Sequence, residues 1–96
     1  MPVIQMNKVD WKILQQILNK YPYKFYAYGS RAKGAARKFS DLDICYYKIP
    51  DLVIGDIREE LENSDLPFMV ELVNWKNMRP AFQEIIKKDL VLISHE

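Results

Sequence analysis

Three carboxylates in this sequence stand where packing gives no reason for them. Asp41 and Asp43 lie one residue apart at the entrance of an apolar stretch, "DLDICYY", and Glu71 interrupts another, "MVELVNW", between Val70 and Leu72. If both stretches are strands, the two-residue period puts Asp41 and Asp43 on one face, with Leu42 and Ile44 on the other. Their Cα atoms then lie roughly 6–7 Å apart, near enough for both carboxylates to converge on cations spaced about 3.5–4 Å. Two like charges so close are unfavourable, and a divalent cation removes the conflict. All-oxygen ligands completed by water suit Mg²⁺ or Mn²⁺, which bind through a few carboxylates plus substrate phosphates. Glu71 joins the cluster if its strand pairs beside that of Asp41 and Asp43; a buried acid there is otherwise costly.

Upstream, Gly29-Ser30 ends one expected strand and opens an expected helix, so its backbone N–H groups and the positive helix end can hold phosphate oxygens. Arg31, Lys33, Arg37 and Lys38 follow, with no acid before Asp41. Gly turn, helix start, basic segment and acids together describe a site for a nucleoside triphosphate. Taken singly, each piece has a plainer reading. "GS" is a turn, the basic run a solvated face, Asp-x-Asp a strand-entry feature, and Glu71 a partly exposed strand residue. The six tyrosines read as core and rim packing, and Cys45 as a small buried hydrophobe. Only the joint arrangement overturns these readings.

The elements that must position these residues follow from periodicity. "VDWKILQQILNKY" carries Val9, Ile13, Leu14, Ile17, Leu18 and Tyr21 at helical spacing, behind Asn7 and Asp10 as a capping pair. Pro22 stops that helix, and "KFYAY" reads as an aromatic strand ending at Gly29. "SRAKGAARK" predicts a short helix weakened by Gly34, and "DLDICYY" the second strand. Beyond Pro50, Asp51 caps a helix with Ile54, Ile57 and Leu61 on one face; "FMVELVNW" is a third strand. Pro80 opens a helix with Phe82, Ile85 and Ile86 on its apolar face, and "LVLIS" is a short extended close. The order predicts one domain over residues 1–96 of the α/β or α+β class, a mixed sheet covered by helices mainly on one side.

Composition limits the alternatives. With 49% hydrophobic and 28% charged residues in 96, the chain is an ordinary globular sequence able to form one core. A net charge of +1 names no partner and argues against direct nucleic-acid binding. One cysteine and one histidine exclude an intrachain disulfide and a zinc cluster, and point to a reducing, cytoplasmic setting. No apolar run reaches the roughly 20 residues of a membrane span, no signal pattern opens the chain, and the sequence is expected to be the whole mature protein.

"YGSRAKGAARKFSDLDI", with ten residues between Gly29-Ser30 and Asp41-Leu42-Asp43, resembles the signature of the DNA polymerase beta-type nucleotidyltransferase superfamily, and "MVELV" its third acidic strand. The "GSRAKG" turn, the short chain and "VNWKNMRPAFQEIIKKDLVLI" resemble the minimal nucleotidyltransferases, the MNT antitoxin partners of HEPN-domain toxins. The resemblance covers residues 9–93. It implies that Gly29, Ser30, Arg31 and Lys33 contact the nucleotide, and that Asp41, Asp43 and Glu71 bind two metal ions and carry catalysis. Glu71 stands where the family commonly has aspartate; Asn74 replaces a further acid and is no ligand. The implied reaction is Mg²⁺-dependent transfer of AMP from ATP to a tyrosine hydroxyl of a HEPN toxin, in a homo- or hetero-oligomer. Two other readings remain: an antitoxin that acts by masking its partner, and transfer to a small molecule. Larger relatives use an additional helical domain for the latter, for which this chain is expected to be too short.

Overall fold

The computed structural model describes residues 4–34, 36–37 and 40–93; Lys38 of the basic run, Ser94 and His95 lie outside them. Helix α1 spans Lys8–Leu18, with Asn7 as its N-cap: the Asn7 side-chain oxygen accepts from the Asp10 N–H at 2.8 Å. That bond satisfies one of the donors a helix start leaves unpaired. Strand β1 (Phe25–Tyr28) leads through Gly29 into the one-turn helix α2 (Ser30–Lys33). Gly34, left-handed at φ +75, ends α2, so the expected helix through "GAARK" stops there. Strand β2 is Leu42–Tyr46, helix α3 Asp51–Glu62 and strand β3 Val70–Asn74. A 3₁₀ turn over Trp75–Asn77, which the periodicity does not predict, precedes helix α4 (Pro80–Ile86) and strand β4 (Val91–Ile93).

The four strands form one mixed sheet in the order β3-β2-β1-β4. β1 runs antiparallel to both β2 and β4, while β2 and β3 are parallel and joined by the α3 crossover. Alternation sorts the strand residues by face. Phe25, Ala27, Leu42, Ile44, Tyr46, Leu72 and Ile93 pack with Leu14, Ile17 and Leu18 of α1 and Ile54, Ile57 and Leu61 of α3. Each large side chain buried here contributes about 1.5–3 kcal/mol relative to leaving it in water. The opposite face is thinner: Tyr28 and Cys45 pack with Met78 and with Ile86 of α4. Helices therefore cover mainly one side, as the sequence predicts.

Two apolar stripes are corrected. Val9 is 69% exposed, and Asp10 beside it is buried instead. On α4 only Ile86 is buried; Ile85 is 63% and Phe82 41% exposed, with Phe82 edge-on to Tyr28 at 6.0 Å between ring centroids.

Candidate active site

Three strands meet on the sheet face opposite α1 and α3. The register pairs Tyr28 with Asp43 across the antiparallel ladder, and Asp43 with Glu71 across the parallel one. Tyr28, Asp43 and Glu71 thus form a single row across strands spaced about 4.8 Å apart, with Asp43 in the middle. The pairing of β3 beside β2, on which the three-acid cluster depends, is present. Asp41 stands one residue before β2, exposed, and adds to the negative field on Asp43.

Gly29 abuts this row. Its φ of +80 and ψ of −156 lie in a region essentially reserved for glycine, and a Cβ would meet the Asp43 Oδ2 at 2.6 Å. The backbone that leaves β1 therefore passes directly against the Asp43 carboxylate, a close approach open only to a residue without a side chain.

The row is electrostatically unbalanced. Burial, then Glu71 and then Asp41, push the Asp43 carboxyl above its ordinary range. Tyr28 is pushed up to about 12 by burial first and by Asp43, Cys45 and Glu71 after it, so it keeps its proton at neutral pH. Glu71 is exposed, not buried as its apolar flanks imply, because β3 is an edge strand whose side chain water can reach. A groove of about 750 Å³ runs beside it between α3 and β3, with Arg58, Phe68 and Met69 among its walls.

Among the described residues, no three His, Cys, Asp or Glu side chains are already drawn together around a metal position. The donor chemistry nevertheless fits a hard divalent cation: carboxylate oxygens on facing strand positions, one of them held above its ordinary pKa by burial first and by the neighbouring acids Glu71 and Asp41 after it.

The basic segment divides in two. Ser30 is half-buried at the start of α2. Lys33 is exposed, 3.8 Å from Asp89, an ion pair of a kind that contributes little in water. Arg31, expected beside them as a nucleotide contact, is 3% exposed. Its Nε donates to the Ser40 carbonyl at 2.9 Å and its Nη1 to the Gln5 carbonyl at 2.6 Å, while the guanidinium lies 4.0 Å from the centroid of the Phe68 ring. Burial lowers its pKa, opposed by the charges of Asp10 and Asp41. With a single turn, α2 also has too little aligned dipole to hold an anion by itself. Tyr28 and Gln5 are additions the sequence reading did not single out; alternation in "FYAYG" could have placed Tyr28 in the row, whereas nothing in the sequence marks Gln5.

Residues 12–96 match the family described as Polymerase beta, Nucleotidyltransferase. The chain is 38% identical over 87 residues to the Probable protein adenylyltransferase MntA of Haemophilus influenzae (strain ATCC 51907 / DSM 11121 / KW20 / Rd), covering 88% of this chain and 75% of that protein. A crystallised candidate nucleotidyltransferase from Sulfolobus solfataricus is 21% identical, with 88% of this chain and 76% of that one covered at a TM-score of 0.49.

Proposed function

Because this chain belongs to the polymerase beta nucleotidyltransferase family, and within it to the minimal nucleotidyltransferases, we propose that it transfers AMP from ATP to a protein hydroxyl, a tyrosine of a HEPN-domain toxin, and so acts as the antitoxin of that pair in the cytoplasm. That it is a nucleotidyltransferase follows from the family; donor, acceptor and antitoxin role are the proposal. The observation that carries it is the row formed by Asp43 and Glu71 with Gly29 against it. Such an arrangement sets a backbone turn for phosphates beside paired acids.

In this reading Gly29, Ser30 and Lys33 hold the triphosphate, and Asp41, Asp43 and Glu71 hold divalent cations, Mg²⁺ or Mn²⁺. When bound, such ions stabilise negative charge on the reacting phosphate and on the departing pyrophosphate. Enzymes of this family generally use divalent metal ions. The acceptor oxygen forms a bond to the α-phosphorus, the bond from that phosphorus to the bridging oxygen of pyrophosphate breaks, and the acceptor proton passes to the Glu71 carboxylate. Exposure of Glu71 at the sheet edge, beside an open groove, supports an acceptor that arrives on another protein. The adenylyl donor is supported by the Haemophilus relative, whose name is that of a probable protein adenylyltransferase.

Intact-mass spectrometry tests the proposal. With ATP and Mg²⁺ the protein alone shows little turnover, and adding the HEPN partner yields AMP increments on that partner; Glu71→Gln abolishes them while the complex still forms. Neutralisation of the partner by Glu71→Gln as well as by wild type, without mass change in either, would replace the enzymatic reading with masking.

A further inference from the structure

Gln5 lies before α1, yet it bonds to the segment that follows β1. Its N–H donates to the Arg31 carbonyl at 2.8 Å, and its own carbonyl accepts from the Arg31 guanidinium at 2.6 Å. Its side-chain amide repeats the pattern on Ala36: Nε2 donates to the Ala36 carbonyl at 2.7 Å, and Oε1 accepts from the Ala36 N–H at 2.9 Å. A single residue thus grips both ends of the stretch 31–36, between which Lys33 and the left-handed Gly34 lie. Arg31 extends the hold to the Ser40 carbonyl, immediately before Asp41. Ser40 in turn exchanges bonds with Arg37, its N–H donating to the Arg37 carbonyl and its hydroxyl accepting the Arg37 N–H.

These bonds add nothing to the apolar core, where neither Gln5 nor Ala36 takes part. What they tie together are Arg31, Ala36, Arg37 and Ser40, which lie between the glycine turn and the first acid. A segment with a glycine at its middle has many conformations, and ordering its residues costs about 1–2 kcal/mol each. If the free protein left it loose, that cost would be subtracted from nucleotide affinity at each binding event.

We infer that Gln5 is a positioning residue for the nucleotide: a clip that ties Arg31 to Ala36, so that Ser30 and Lys33 meet the triphosphate already arranged. The inference rests on the assignment of Ser30 and Lys33 to the nucleotide. It gives the buried Arg31 a role within the fold, through the carbonyls of Gln5 and Ser40.

The test compares wild type with Gln5→Ala and Gln5→Glu in the full chain. In Gln5→Glu the carboxylate still accepts from the Ala36 N–H but cannot donate to the Ala36 carbonyl. Calorimetry with ATP and Mg²⁺ is expected to show Kd raised about tenfold in both variants, the equivalent of about 1.4 kcal/mol. Transfer to the partner at saturating ATP should stay within about twofold of wild type, as expected when only ground-state organisation is lost. Trypsin acting on the nucleotide-free chains should cut after Lys33 and Arg37 faster in the variants. Equal cleavage rates overturn the clip. Faster cleavage with unchanged Kd overturns its positioning role, as does a loss of melting temperature and maximal rate with Kd unaltered. Wild type that binds no ATP with Mg²⁺ removes the nucleotide assignment and the positioning role with it, while the cleavage rates still report separately on the clip.

Discussion

Asp43 is held at a cost: it is partly buried, with Glu71 and Asp41 close enough to disfavour its charge. Its pKa is raised on folding, so the neutral carboxyl is favoured more in the folded chain than in the unfolded one. The stabilising contribution of that neutral form is fully present below the unfolded value of about 3.9 and is lost as pH rises through the raised folded value. Asp43→Asn removes the titration and relieves the charge conflict with Glu71 and Asp41. We expect it to melt higher than wild type at neutral pH without metal, with the advantage shrinking as pH falls through that window, while transfer drops by at least about a hundredfold. Thermal melts across acidic to neutral pH beside a labelled-ATP assay check both; a variant with normal turnover takes Asp43 out of the mechanism. Gly29→Ala acts on the same carboxylate from the other side. The strained backbone alone costs on the order of 1–3 kcal/mol, and Asp43 must move off the new methyl. Urea unfolding should show the loss, and transfer should fall as in Asp43→Asn.

At the level of single elements, the caps and crossings are separable from the chemistry. Asn7→Ala removes the bond to the Asp10 N–H and should destabilise the protein by about 1 kcal/mol, measured by urea unfolding. Much of this architecture is legible in the sequence, because α1 and α3 are long enough for their apolar periods to stand out, and β2 alternates cleanly enough to set Asp43 opposite Leu42 and Ile44. Val9 misleads for a definable reason: the first turn of α1 is oriented by charge, with Asp10 facing inward where its field acts on the buried Arg31. Arg31 itself is illegible from composition, since a run of basic residues carries no mark of which one turns inward to carbonyl oxygens supplied by Gln5 and Ser40. The row of Tyr28, Asp43 and Glu71 lies between these cases. Its residue types were visible, but the neighbour relation of Asp43 and Glu71 exists only through the β2–β3 register.

For the molecule as a whole, metal and nucleotide are expected to stabilise the fold together more than separately. Under the proposed function, phosphate oxygens would complete a coordination shell that Asp41, Asp43 and Glu71 leave open, and any ligand bound only by the folded state raises its stability. Melting curves with Mg²⁺, with ATP and with both should show a combined shift larger than the sum of the two; a merely additive shift sinks the shared site. The parallel pairing of β2 and β3 carries a further consequence, for the order in which the molecule becomes competent. Asp43 meets Tyr28 through a local antiparallel ladder, but it meets Glu71 only once α3 has crossed back over the sheet. There Arg58 of α3 donates to the Leu72 carbonyl on the outer side of β3 at 2.8 Å. Such non-local pairing closes a long loop and is intrinsically slow to form. A chain still emerging from the ribosome, or one whose β3 edge has frayed, therefore holds Asp43 beside Tyr28 without Glu71, and under the proposed function such a chain is expected to transfer nothing until β3 has docked.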